Sequence, residues 1–414
     1  MTTATAQRRR RRGLTIVVVA VALVAAGFGA RLWLTKAEGD PQAVEFADAT
    51  LSPELTNATV LGLGEANHGT AELQRLRLAL IQNLPNTRAI MIEEDFGSTA
   101  QVNDFIAGGD GTAQDAARRF GFVVSQTNQM VELLQWLRDT NAGRQPAERI
   151  QLVGIDSQRV DANKEIALGW LGEHDKAEAD RLRSRLTEWS DETRRTGDPA
   201  AVSERVRPVV EQLKKAIADT PNRPGRQRAS NAVTTLQQHL ALNTAGNGYS
   251  RTRAQFMADN VARTVTEQRE RGNDHSLLFG HNGHLDKSSA AFTHRDTGGL
   301  LADRFGERYR VIGTELVQGR LQTGQGSQRW EVGIDNPTPL RGLFAGTSQG
   351  FLDFAAVSHR NAQLLRRPVR MSSAGEDFQQ WQAWLPWLNS VEMIPAAGYD
   401  ALIMVGRGTP TTLV

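Results

Sequence analysis

Six short runs constrain this chain most, because they are apolar with almost no polar alternation: 59–64 (TVLGLG), 89–92 (AIMI), 150–155 (IQLVGI), 276–280 (SLLFG), 309–316 (YRVIGTEL) and 401–405 (ALIMV). A strand that is polar on neither face must be covered on both. Helical patterns lie between most of the runs, as at 72–84 and 129–141. Strands alternating with helices predict an α/β fold with a mostly parallel central sheet flanked by helices. Residues 160–245 break the rhythm. They carry Ala, Glu, Arg, Lys and Leu at helical spacing around Trp170 and Trp189, and a loop at 220–225 (TPNRPG) splits them. This stretch reads as a helical insertion between the third and fourth strands.

The residues just past each run matter as much as the run itself. Glu65 and His68 come after the first, Glu93, Glu94 and Asp95 after the second, Asp156 after the third, and His281 and His284 after the fourth, in GHNGH. In open α/β sheets the ligand crevice lies beyond the carboxyl ends of the strands. Four strand ends therefore deliver acids and imidazoles to one edge. Singly, each has a plainer reading: a glutamate there caps a helix, and an HxxH pair lacking a third ligand is a poor metal signal. Together they point to one site. The other histidines, at 174, 239, 275, 294 and 359, read as surface residues.

The chain has 414 residues and no cysteine, which excludes disulfides, thiolate metal sites and a cysteine nucleophile. Its net charge of +2 is unevenly placed. Residues 1–36 hold seven of the 48 Lys and Arg and none of the 46 Asp and Glu, so the remainder stands at −5. That balance indicates no nucleic-acid face. The arginines at 8–12 precede an uncharged run at 14–30, which reads as a single membrane anchor with residues 1–36 as tail and span. The remainder, 40–414, would then lie outside the cytoplasm. A cleavable signal, with secretion, is the alternative.

Residues 62–72, GLGEANHGTAE, resemble the GE-x-x-HG motif of the erythromycin esterase-like family. The resemblance runs over roughly 55–410. IEEDFGSTAQVNDFIAGG is similar to the family's strand-end glutamate and the asparagine-bearing helix after it. ELLQWLRDTN, LVGIDSQ, RAQFMADNV and FGHNGHL resemble the ELxxWLRxxN, GxDxQ, RDxxMAxNV and GHNxH motifs. The resemblance implies a hydrolase that opens an ester or macrolactone by water attack, needs no cofactor, and takes a small-molecule ester as its partner. Carried over by motif, the functional residues are Glu65, His68, Arg77, Glu93, His281 and His284, with Arg77 placed by its distance after His68. Asn67 stands for the usual Thr, Ala254 for the usual acid, and VVSQTNQ lacks the usual aromatic and acid. These departures bear on substrate preference.

The chemistry suits the residue types. Water attack needs a base near neutrality, which imidazole supplies, and an acid to orient it. His281, His284 and Arg77 are the available oxyanion donors. Other readings of the same residues are a metal-dependent hydrolase using His281, His284 and a glutamate, and a non-catalytic, haem-type binding protein. GTSQG at 346–350 matches G-x-S-x-G, but Pro337, Pro339, Arg341 and Gly342 leave no buried strand before Ser348. Ser348 is therefore not expected to be a nucleophile.

Overall fold

The computed structural model describes residues 36–414 apart from 194–196 and 326–327. Nine strands form one mixed sheet: β1 (Val44–Glu45), β2 (Val60–Glu65), β3 (Ala89–Asp95), β4 (Gln151–Asp156), β5 (Ser276–His281), β6 (Tyr309–Gln325), β7 (Gln328–Asp335), β8 (Gln349–Asp353) and, last in sequence, β11 (Ala401–Gly408). The spatial order is β1-β8-β11-β6-β2-β5-β3-β4, with β7 paired to β6. The six strands from β11 to β4 are mutually parallel, and β1, β7 and β8 add antiparallel pairs. A separate ribbon pairs β9 (Val369–Ser372) with β10 (Ser390–Met393).

The lack of alternation has the expected consequence. Along β2, Leu61 and Leu63 enter one core layer and Val60 the opposite one; on β5, Leu277 and Phe279 oppose Leu278. The first layer packs beneath helices Ala71–Gln82, Phe96–Ile106 and Asn128–Ala142, the second beneath Tyr249–Glu270 and Thr297–Phe305. The stretch from 161 to 244 is mainly helical, with helices Asp161–His174, Lys176–Arg185, Pro199–Asp219 and Arg226–Thr244. It has its own core of Trp170, Trp189, Leu213 and Leu236.

Strand β4 ends the sheet, and an open edge is a site for unwanted pairing. Side chains close it. Asn141 donates to the Ile150 carbonyl (2.9 Å) and accepts from its N–H (2.8 Å). Asn103 makes the same reciprocal pair with Leu152, and Thr99 accepts from Gly154 N–H at 2.7 Å. Each asparagine amide thus stands in for a missing strand.

Several elements differ from expectation. β6 runs on to Gln325 and forms a hairpin with β7 past the sheet edge. Its outer half, QGRLQTG, alternates polar groups and glycine, so no apolar run marks it. The membrane anchor is corrected: among the described residues no helix is long and apolar enough to cross a membrane. The expected span at 14–30 lies outside the described residues, and the transmembrane attachment and location read from it are withdrawn.

Asn141→Ala should strand both polar groups of Ile150, at the end of β4 remote from the strand-end acids. An unsatisfied buried group costs about 1–3 kcal/mol. Urea unfolding should show that loss with the affinity of the cleft for ligands unchanged.

Candidate active site

His68 sits in the turn after β2, held by backbone on several sides. Its N–H donates to Ala374 O (3.1 Å), and Ala66 N–H donates to Thr314 Oγ1 (2.9 Å). The next residue, Gly69, has φ +80°, and a Cβ there would lie 1.8 Å from Gln322 O. Only glycine lets the chain turn at that point and receive both Gln322 N–H (2.9 Å) and Thr411 N–H (3.0 Å) on its carbonyl. Glu72, in the same motif, turns away and accepts from Thr409 N–H and Oγ1 at 2.6 and 2.7 Å.

Behind His68 lies a buried ion pair. Arg77 Nη2 donates to Glu65 Oε2 at 2.6 Å, and His68 Nδ1 approaches the same oxygen at 3.4 Å. Burial pushes the Glu65 carboxyl up, but the charge of Arg77 and the bond and charge of His68 outweigh it, so the group stays ionised. Burial pushes His68 down, but the bond to Glu65 and the charges of Glu65 and Glu93 win, and its pKa lies above the ordinary value. With Nδ1 turned to a carboxylate, Nε2 is the ring nitrogen left for the cleft. Arg77, read from the sequence as an oxyanion donor, stands behind Glu65, with its other terminal nitrogen 3.3 Å from Met130 Sδ.

The second anchor is a residue not assigned from sequence. Arg253, on the helix Tyr249–Glu270, donates to Asp156 Oδ2 through Nε (2.9 Å) and Nη2 (2.6 Å) and to Glu93 Oε1 at 2.9 Å. Its Nη1 lies 3.0 Å from His284 Nε2. The other nitrogen of His284 is 2.6 Å from Asp296 Oδ2. His284 is thus engaged on both sides and is not free to serve as an oxyanion donor. Burial works against the Glu93 charge, but His284, Arg253 and His68 around it and the His281 N–H hold the carboxyl far below its usual range.

Glu93 uses its second oxygen to accept the backbone N–H of His281 at 2.8 Å. His281 begins a short turn of helix, and its Nδ1 accepts from Gly283 N–H at 3.1 Å. A nitrogen that accepts carries no proton, so the neutral ring holds its hydrogen on Nε2. That Nε2 is buried without a protein partner. Burial, and then the neighbouring charge of His68, push the His281 pKa down to about 3, so the ring stays neutral. The rings of His68 and His281 lie 5.0 Å apart, tilted by 51°.

These groups line a cleft of about 360 Å³. His68, Glu93, Arg253, His281 and His284 form its floor. Phe122, Val124, Gln158 and Arg159 lie along it, as do Gly375 and Glu376, next to the Ala374 carbonyl that holds His68. A larger hollow of about 670 Å³ outside β4 contains none of the strand-end groups. Five of the six sequence-derived residues thus meet in or directly behind one cleft wall, with Arg77 one layer deeper. Among the described residues no group of three or more His, Asp or Glu side chains is arranged to hold a metal ion. Ser348 is exposed before β8, its Oγ 3.2 Å from Glu45, with no histidine on it. His239, read as a surface residue, is buried against Trp189 and Ser157 O.

Arg253 and Asp296 are the functional-site neighbours that sequence reasoning missed. Arg253 opens the RAQFMADNV motif, so the signal was present; Asp296 had none.

The architecture is that of an α/β protein whose mostly parallel sheet brings two imidazoles together at its strand ends. The sequence profile of erythromycin esterase matches residues 86–407, and the chain belongs to that family. Solved structures agree on the fold. A succinoglycan biosynthesis protein is 16% identical (TM-score 0.74), over 90% of this chain and 96% of its own. A Bacillus cereus protein is 17% identical (TM-score 0.69), over 92% and 98%. A mutant of the erythromycin esterase EreC in its open conformation is 18% identical (TM-score 0.63), over 89% and 97%.

The two imidazoles should titrate in opposite senses. A histidine raised on folding adds stability that is complete below its unfolded value, 6.5, and fades as pH rises through the folded one. For His281 the folded value is lower, so stability falls as pH drops from 6.5 toward about 3. Nitrogen-detected NMR should find His68 protonating above pH 6.5 and His281 neutral, with its proton on Nε2, down to at least pH 5. Glu65→Gln should move the His68 titration downward while the His281 ring stays neutral.

Proposed function

We propose that this protein hydrolyses a carboxylic ester, of which a macrolactone is one form, by direct attack of water activated by His68. The single observation that carries the reading is the complementary pair of ring nitrogens: Nε2 of His68 as acceptor and Nε2–H of His281 as donor, on rings 5.0 Å apart.

Water lies against His68 Nε2 and the ester carbonyl lies beneath His281. His68 takes a proton as the water oxygen bonds to the carbonyl carbon. Glu65 balances the positive charge that forms on the ring, as Arg77 holds Glu65 in place. The carbonyl oxygen becomes an oxyanion and receives the His281 Nε2–H, a donor already aimed and already desolvated. The C–O bond to the alcohol then breaks, and His68 gives its proton to the departing alkoxide. An acid and an alcohol leave, and His68 is neutral again. Glu93 and Arg253 take no proton; they fix the His281 backbone and hold the floor rigid.

Losing a general base typically costs about 10²- to 10⁴-fold in rate, so His68→Asn should remove most of kcat while substrate affinity and thermal unfolding stay near wild type. His281→Asn should lower kcat by about 10²- to 10³-fold, the scale of one oxyanion donor. Ser348→Ala should match wild type. The assay is incubation of the protein with a macrolide panel and simple esters, with mass spectrometry for addition of one water. Full activity in His68→Asn, or an inactive Ser348→Ala, would defeat the assignment.

The rate should also rise with pH through the His68 titration, because only the neutral ring accepts a proton. Since that pKa is raised, the acid limb should lie above pH 6.5, and Glu65→Gln should shift it to lower pH as it lowers kcat.

A further inference from the structure

One cation of the cleft has no counter-charge. Arg253 is balanced by Glu93 and Asp156, and Arg77 by Glu65. Arg159 lines the same cleft, yet among the described residues its side chain makes no hydrogen bond or ion pair. Its Nε is sealed from solvent without a partner, while the two terminal nitrogens are not. The guanidinium carbon stands 5.4 Å from the Phe122 ring centroid.

The side chain is nonetheless built in. Asn163 Nδ2 donates to the Arg159 carbonyl at 3.2 Å. Gly121 makes room for the stem, since a Cβ there would lie 3.1 Å from Arg159 Cγ. Phe122, the aromatic platform, is fixed by its N–H donating to Glu94 at 3.0 Å. Glu94 forms no ion pair with Arg159; its oxygens accept the Asp95 and Phe122 N–H groups, and burial pushes its carboxyl well above the usual range. Glu376 also faces the cleft without an ion pair among the described residues. A half-buried guanidinium held on an aromatic face with a bare donor edge is the arrangement that suits a carboxylate or phosphate.

We infer that Arg159 is a specificity-determining residue that binds an anionic group on the substrate, so the preferred ester carries a second, ionised acid. This rests on the ester-hydrolysis reading for the reaction and adds the charge of the substrate. His68 acts on the ester while Arg159 holds the acid end, so Arg159 sets KM and leaves kcat nearly untouched.

The test compares monomethyl succinate, adipate and suberate with the corresponding dimethyl esters, using full-length wild type, Arg159→Gln and Arg159→Lys. Wild type should favour at least one half-ester through a lower KM. Arg159→Gln should erase that preference, by about 10- to 100-fold, the scale of a charge-assisted hydrogen bond to a partly desolvated group. Arg159→Lys should keep part of it, and the dimethyl esters, which lack the anion, should respond far less than the half-esters to either substitution. No half-ester preference in wild type, or an undiminished one in Arg159→Gln, overturns the inference. If no ester of either kind is hydrolysed, the ester reading fails separately. Calorimetric binding of the half-esters to wild type and Arg159→Gln then decides the anion site alone: tighter binding to wild type upholds it, and equal binding overturns it.

Discussion

The guanidinium of Arg253 is the contact on which the candidate site depends. It comes from a helix rather than from a strand and joins the ends of β3 and β4 by binding Glu93 and Asp156. With Glu93 Oε1 so engaged, Oε2 is left to accept the His281 N–H. His281 then caps its own turn through Nδ1, which decides where its remaining proton sits. One ionic contact thereby sets the tautomer of a ring that Arg253 itself does not touch. Removing one member of a buried pair typically costs about 3–5 kcal/mol, because its partner is left charged and unpaired. Here the removal would deprive Asp156 of its cation and Glu93 of one of the groups that hold its charge.

The two imidazoles owe their difference to their neighbours. Glu65 and Glu93 favour a proton on His68, whereas the Gly283 N–H and burial oppose one on His281. Each ring keeps one nitrogen free of protein hydrogen bonds, and the two nitrogens have opposite hydrogen-bonding character. Such preorganisation needs no solvent rearrangement when charge develops.

Much of this was legible in the sequence because parallel strands buried on both faces write continuous apolar runs, and their carboxyl ends share an edge. That reasoning placed Glu65, His68, Glu93, His281 and His284 together. It failed where contacts rather than patterns decide. Arg77 carries the right charge but faces inward, toward Glu65. Arg253 sits in the second turn of a helix, where an arginine ordinarily reads as a solvated side chain. The asparagines of the motif-bearing helices, Asn103 and Asn141, carry no chemistry of the cleft at all; they close the edge of β4. The β6–β7 hairpin escaped notice because its strands are half exposed and polar.

The turn that carries His68 has a further consequence. Its backbone is tied to Ala374, Gln322, Thr409 and Thr411, and the Glu72–Thr409 contact alone spans 337 positions. Contacts so distant in sequence form only after large loops have closed, which slows folding. A chain emerging from the ribosome has His68 early but lacks the segments that hold it until translation is nearly done. The imidazole therefore acquires its working position late, and a nascent chain carries the sequence of the site for most of its synthesis without its geometry.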